Sequence, residues 1–132
     1  MSGLGDFPAA AVLRVESLER AKRFYVEVLG LKEQAIPGPA PQAMLMTGDG
    51  SAVLIYERPG MPAPLNTTLG FSIPADKFDD VVTELRGKGV AFEEYDIPEM
   101  GLMTVNGVAV VDGNKAAWIK DSEGNIISLA VM

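Results

Sequence analysis

Apolar and polar positions along this chain follow the same order twice. In the first copy, an extended apolar run at Ala9–Val15 precedes residues whose apolar positions have helical spacing. Ser17 is a suitable N-cap for that helix, and Gly30 is a C-cap signal. A second extended run, Leu31–Ile36, follows. The apolar stripe of the predicted helix consists of Leu18, Ala21, Phe24, Tyr25 and Val28. The pattern predicts strand, helix and strand in this order.

The second copy begins at Thr67 and repeats this order. Leu69–Ile73 reads as a strand, Asp76 can cap a helix that ends at Gly89, and Val90–Tyr95 reads as the next strand. The stripe of this second helix consists of Phe78, Val81, Val82 and Leu85. Two copies of one supersecondary unit, each too small to bury its own apolar face, are expected to pack together. A cleft for a small molecule is expected at their seam.

Turn signals predict two hairpins and leave one segment without a pattern. Gln42–Thr47 and Ala52–Glu57 flank the sequence GDGS, and Lys115–Lys120 and Ile126–Val131 flank DSEGN. Residues 96–113 show no clear period, and they are interpreted as a lid or binding loop or, equally, as a surface insertion.

Composition excludes several function classes. The chain has 132 residues, a net charge of −7, no cysteine and no histidine. Without a basic patch, nucleic acid and anionic membranes are not expected as partners. No apolar run reaches the roughly 18 residues of a membrane span, and no secretory signal is visible, so a cytoplasmic location is expected. The absence of histidine removes the commonest metal ligand and the usual neutral-pH general base.

The first helix resembles a known signature. VESLERAKRFYVEVLGL is similar to the V-x-D-L-x-x-A-x-x-F-Y-x-x-x-L-G pattern of the vicinal oxygen chelate superfamily, with Ser17 in place of the aspartate. KDSEGNIISL resembles that family's D-P-x-G-N hairpin, with Ser122 in place of the proline. The superfamily includes glyoxalase I, extradiol dioxygenases and bleomycin- and fosfomycin-resistance proteins. The resemblance covers nearly the whole chain.

This resemblance implies an α+β fold and one domain over residues 1–132. Two βαβββ repeats, at about 8–57 and 67–132, would form paired curved sheets around a central cleft, with the helices outside. Metal-using members place four ligands in that cleft. The corresponding positions here are Ala10, Leu54 or Tyr56, Thr68 and Ser128. None of these is a good ligand for a divalent cation, so neither a metal nor another cofactor is expected.

The same register predicts which side chains line the cleft. Arg14 is the one charge expected inside, where it either binds an acidic group of a ligand or forms an internal salt bridge. The methionines are interpreted either as an adaptable apolar wall or as core filler. The residues predicted to bind a ligand are Arg14, Met46, Tyr56, Thr68, Tyr95, Met103, Trp118 and Ser128.

Three function classes follow, and the sequence leaves them open. The first is a metal-free small-molecule binding protein of the glyoxalase/bleomycin-resistance type. The second is an enzyme, such as a lyase, isomerase or dioxygenase-like protein with an atypical site. The third is a regulatory or assembly domain. Because single-repeat-pair members of the resembled family are commonly dimeric, a homodimer is expected, and sedimentation as a 14.0 kDa monomer at micromolar concentration would contradict it.

Overall fold

A computed structural model describes residues 3–131. The chain divides into two compact units, the first ending at Met61 and the second beginning at Pro62. Among the described residues, no helix combines the length and the apolar character needed to cross a membrane.

The first unit is a four-stranded sheet covered by one short helix. Its strands are β1 (Ala11–Val15), β2 (Lys32–Gln34), β3 (Gln42–Met46) and β4 (Ala52–Glu57), and they lie in the order β1-β4-β3-β2. The β1–β4 pair is parallel, and the other pairs are antiparallel. Helix α1 (Leu18–Arg23) continues as a π-helical turn over Phe24–Val28. Short 3₁₀ turns occupy Leu4–Asp6 and Gly48–Gly50.

Two side chains satisfy the first backbone N–H groups of α1. The Ser17 hydroxyl accepts a hydrogen bond from the Arg20 N–H at 3.3 Å, which confirms the predicted N-cap. A Glu57 carboxylate oxygen, at the end of β4, accepts one from the Leu18 N–H at 2.9 Å. This second contact ties the start of the helix to the strand that lies beside β1. The Glu57 carboxylate thus has a structural function at the helix start.

The second unit has a six-stranded sheet and a longer helix. Strand β5 (Thr67–Ile73) leads into α2 (Ala75–Gly87). The remaining strands are β6 (Asp96–Ile97), β7 (Leu102–Val105), β8 (Val108–Val111), β9 (Asn114–Lys120) and β10 (Ile126–Val131), and a 3₁₀ turn lies at Pro98–Met100. The order is β5-β10-β9-β8-β7-β6, with β5 parallel to β10.

The structure confirms the two predicted hairpins and corrects three other predictions. The hairpins are the antiparallel pairs β3–β4 and β9–β10. Asp76 does not cap α2, because the helix already begins at Ala75 after Pro74. Val90–Tyr95 is not a strand and makes only one isolated bridge, from Phe92 to Ile119.

The third correction concerns residues 96–113, which are largely regular. They contain β6, β7 and β8, and β8 joins the two neighbouring strands through two-residue turns at Asn106-Gly107 and Asp112-Gly113. All four turn residues have positive φ, as type I′ hairpin turns require. The segment is therefore an extension of the second sheet.

Each unit buries the sheet face that its helix covers. In the first unit, α1 contacts β3 and β4, and Tyr25 and Ala21 are fully buried against apolar side chains of the sheet. In the second, α2 contacts β9 and β10 and buries Phe78, Val82 and Leu85. The strand residues of these two cores are Leu13, Val15, Ala43, Leu45, Val53, Ile55, Ile73, Ala117, Ile119, Ile127 and Leu129. Because side chains alternate along a strand, the intervening residues form a helix-free face on each sheet.

Candidate functional site

The helix-free face of the first sheet carries three of the predicted ligand-binding residues. Arg14 and Tyr56 are paired directly across β1 and β4, and Met46 lies on the same face of β3, opposite Ala52. Leu54, the other candidate for the ligand position on this sheet, is paired with Val12. Val12 is 56% exposed, and the other side chains of this group are half-buried. The predicted register of this face is therefore confirmed.

Arg14 is held by the backbone of its own unit. Its Nη1 atom donates a hydrogen bond of 2.7 Å to the carbonyl oxygen of Met61. This contact draws the guanidinium towards the chain that follows β4. Arg14 thus has a structural function in addition to any contact with a ligand.

The helix-free face of the second sheet brings together three more of the predicted residues. Ser128 is paired with Gly70 on one side and with Trp118 on the other. Thr68 lies on the same face, and its hydroxyl donates to the Ile126 carbonyl oxygen at 3.2 Å. Around Trp118 the surface consists of small side chains: Gly70, Ser72, Ala116, Ser128 and Ala130. A large indole next to such small residues leaves room beside its ring.

Tyr95 joins this group through its ring. The Tyr95 and Trp118 rings meet edge to face, with centroids 5.4 Å apart and planes at 80°. The Tyr95 N–H donates to the Thr104 hydroxyl and the Thr104 N–H donates to the Tyr95 carbonyl, both at 2.8 Å. Burial and, second, the Glu93 carboxylate raise the pKa of Tyr95 above its usual value. The phenol is therefore neutral at neutral pH and available as a hydrogen-bond donor.

Met103 does not belong to this group. Thr104 is paired with Ala109, which is paired with Ala116, so Thr104 shares the face of Trp118. Met103 is its neighbour along β7 and therefore lies on the opposite face, where it is 59% exposed. Strand β7 therefore separates Met103 from Trp118, and a contact of Met103 with a ligand stays a prediction.

A pocket of about 290 Å³ lies beside Trp118 within the second unit. Its walls come from β9, the end of β10 and the turn between β8 and β9. The lining residues are Val111, Asp112, Asn114, Lys115, Ala116, Trp118, Ala130 and Val131. Asp112 and Asn114 were not among the sequence candidates. The signal that points to them is the Asp112-Gly113 dipeptide, which fixes a tight turn at the rim of the pocket.

The residues at the family's metal positions do not fit a divalent cation. In the first unit, Ala10 precedes β1, and the last strand offers Leu54 or Tyr56. In the second unit, the positions hold Thr68, whose hydroxyl binds a backbone carbonyl, and Ser128. Such sites need imidazole, thiolate or carboxylate ligands. Within residues 3–131, no three histidine, cysteine or acidic side chains come together in a metal-binding arrangement.

Solved structures share this fold at low sequence identity. An integron cassette protein from the mobile metagenome of the Halifax Harbour sewage outfall superimposes with a TM-score of 0.71 and 15% identity, over 96% of this chain and 100% of its own. A glyoxalase/dioxygenase from Nostoc punctiforme gives 0.70 and 18%, over 99% and 95%. The fosfomycin resistance protein FosX from Mesorhizobium loti gives 0.67 and 15%, over 96% and 92%. These similarities establish the fold.

The family is established by the sequence as a whole. Among curated proteins, none matches the chain significantly. A model of the glyoxalase/bleomycin resistance protein/dioxygenase superfamily, however, matches residues 8–129. Together with the two βαβββ-type units and the structural neighbours, this match shows that the chain belongs to the glyoxalase/bleomycin resistance protein/dioxygenase superfamily, that is, to the vicinal oxygen chelate fold.

Proposed function

We propose that this protein binds a small organic molecule without a metal ion. The observation that carries the proposal is the combination of unsuitable residues at the ligand positions with a pocket beside the single tryptophan. Thr68 and Ser128 have hydroxyl groups where metal-using members need stronger donors. Hydroxyl groups and small side chains instead suit hydrogen bonding and close contact with an organic ligand.

At least one structural neighbour binds a metal ion, and we expect this chain to differ from it in that respect. One of them, FosX from Listeria monocytogenes, is described in complex with Mn(II) and sulfate. Metal-assisted chemistry requires ligands that hold the cation while leaving a coordination position for the substrate. This chain offers none of the usual side chains at those positions, so we expect binding rather than metal-assisted catalysis.

The first prediction concerns metal content. After incubation with Zn²⁺, Mn²⁺ or Ni²⁺ and gel filtration, we expect far less than one metal ion per chain by elemental analysis. The Listeria FosX protein, treated identically, is the positive control. Retention of about one metal per chain, and its loss when residues 10, 68 and 128 are replaced, would contradict the proposal.

Ligand binding itself is tested with the fluorescence of Trp118, the single tryptophan of the chain. We expect members of a library of small aromatic and heteroaromatic compounds to change that fluorescence at micromolar concentrations. Addition of EDTA should leave the response unchanged. If the response depends on added metal, the metal-free proposal is wrong. The homodimer and the cytoplasmic location stay predictions.

A further inference from the structure

The pocket beside Trp118 is small and open to solvent. Its volume of about 290 Å³ lies just below the range of roughly 300–1,000 Å³ that is typical of sites for drug-sized molecules. Ala116 and Ala130, which are paired across β9 and β10, form its floor with methyl groups alone. A flat floor next to an indole suits one ring or two fused rings.

The indole that borders the pocket packs against a second aromatic ring. Its ring meets the Tyr95 ring edge to face, and the Trp118 carbonyl accepts a hydrogen bond of 2.8 Å from the Glu93 N–H. Tryptophan is the aromatic side chain with the strongest attraction for a cation placed over its face. The indole therefore suits contact with an aromatic ring, and its face attracts a cation.

The rim of the pocket has a negative charge that is not neutralised nearby. Asp112 and Lys115 are the two charged residues in the lining. Lys115 forms an ion pair with Asp79 of α2. Its Nζ atom lies 2.8 and 3.1 Å from the two carboxylate oxygens. Asp112 forms no ion pair with any residue of the described range 3–131 and is exposed. The Asn114 side chain adds an amide to the same rim.

We propose that this pocket binds an arylalkyl amine with one ring or two fused rings, with its ring beside Trp118 and its ammonium group towards Asp112. The inference rests on the proposed metal-free binding function and names the ligand class for it. It differs from the acidic ligand that Arg14 alone would favour, because Arg14 lies on the sheet of the other unit. The positive charge of the ligand would also complement the net charge of −7 of the protein.

The test uses three probes with the same ring and different charge. 1-Naphthylmethylamine is a cation at pH 7, 1-naphthylmethanol is neutral and 1-naphthoate is an anion. Each is titrated into ¹⁵N-labelled full-length protein, in which Trp118 gives the only tryptophan indole N–H signal. We expect the cation to shift this signal at the lowest concentration, and the anion to bind at least about fivefold more weakly, since it loses one ion pair and gains a repulsion.

Two variants and one control locate the interaction. Asp112→Asn should weaken the amine about two- to fivefold, the range of an exposed ion pair, without affecting the alcohol. Asp49→Asn, which removes the same charge from an exposed Asp-Gly turn of the first unit, should change nothing. Ala130→Leu should weaken all three probes by filling the floor.

The outcomes distinguish the ligand class from the general function. Equal affinity for the three probes, tighter binding of the anion, or an equal effect of Asp112→Asn on amine and alcohol overturns the amine proposal, although metal-free binding then still stands. If Ala130→Leu changes no affinity, the probes bind elsewhere and the pocket assignment is wrong. If no compound of the broad library binds without metal, the proposed function itself is wrong.

Discussion

Replacement of Asp121 by alanine is expected to reduce the free energy of unfolding by about 2–6 kcal/mol, because two buried backbone N–H groups lose their acceptor. Asp121 is 7% exposed and lies in the turn between β9 and β10. Its Oδ1 atom accepts hydrogen bonds from the Glu123 and Asn125 N–H groups, both at 2.8 Å. Its Oδ2 atom accepts one from the Asn125 side-chain amide at 2.9 Å. Each unsatisfied buried donor costs about 1–3 kcal/mol.

The measurement is urea unfolding, followed by the fluorescence of Trp118, which lies on the preceding strand of the same unit. Asp121→Asn should be intermediate, since its amide oxygen can still accept from the backbone. Asp80→Ala, at an exposed position of α2, is the matched control and should change stability by less than about 0.5 kcal/mol. Asp121→Ala behaving like Asp80→Ala would show that this turn does not depend on the carboxylate.

The hairpins and the two faces of each sheet could be predicted because the turn residues and the alternation of apolar and polar side chains indicate the same structure there. The turn around Asp121 has a left-handed Gly124, with φ of 86°, and it joins two runs with clear alternation. In β1 the buried Leu13 and Val15 alternate with Val12 and Arg14, so the register could be read directly. Such alternation fixes a face because a slip by one residue would expose every core side chain.

The region between α2 and β9 could not be predicted from periodicity. Strands β6, β7 and β8 have only two to four residues, too few for a period to appear. Val90–Tyr95 follows the second predicted helix as Leu31–Ile36 follows the first, but two segments share the edge of β9. Strand β8 pairs with the Asn114–Ala117 part of that edge, and only Phe92 reaches Ile119 further along. Whether this segment forms a strand therefore depends on which part of β9 is available for pairing, and not on its local sequence.

The candidate site was predicted best on the long strands. Trp118, Ser128 and Thr68 lie on one face as their register required, and Tyr95 contacts Trp118. The face of Met103 could not be predicted because it depends on the turn at Asn106-Gly107, a strong hairpin signal within a segment interpreted as a loop. Asp112 was missed for the same reason, since only the β8–β9 turn brings it to the rim of the pocket. The dipeptides Asn-Gly and Asp-Gly thus contain the information that periodicity lacks here.

The second large effect is expected at one of these two turns and not at the other. Gly107 and Gly113 each occupy the second position of a two-residue turn, with φ of 79° and 83°. An alanine at either position costs about 1–2 kcal/mol for the left-handed conformation. A Cβ atom at Gly107 would also lie 2.7 Å from the Phe92 Cβ, whereas one at Gly113 would meet nothing within 4 Å.

Gly107→Ala is therefore expected to lose about 2–5 kcal/mol of stability, since overpacking adds roughly 1–3 kcal/mol to the backbone strain, whereas Gly113→Ala should lose only the strain. The clash is not relieved easily, because Phe92 is bridged to Ile119 and lies under the Arg86 guanidinium at 4.5 Å from its ring centroid. Urea unfolding of the two variants in parallel measures the difference. Because the clash is with the Phe92 Cβ, the double variant Gly107→Ala/Phe92→Gly, compared with Phe92→Gly alone, should lose only the part due to backbone strain. Equal losses for the two glycines would mean that the hairpin β7–β8 does not pack against Phe92.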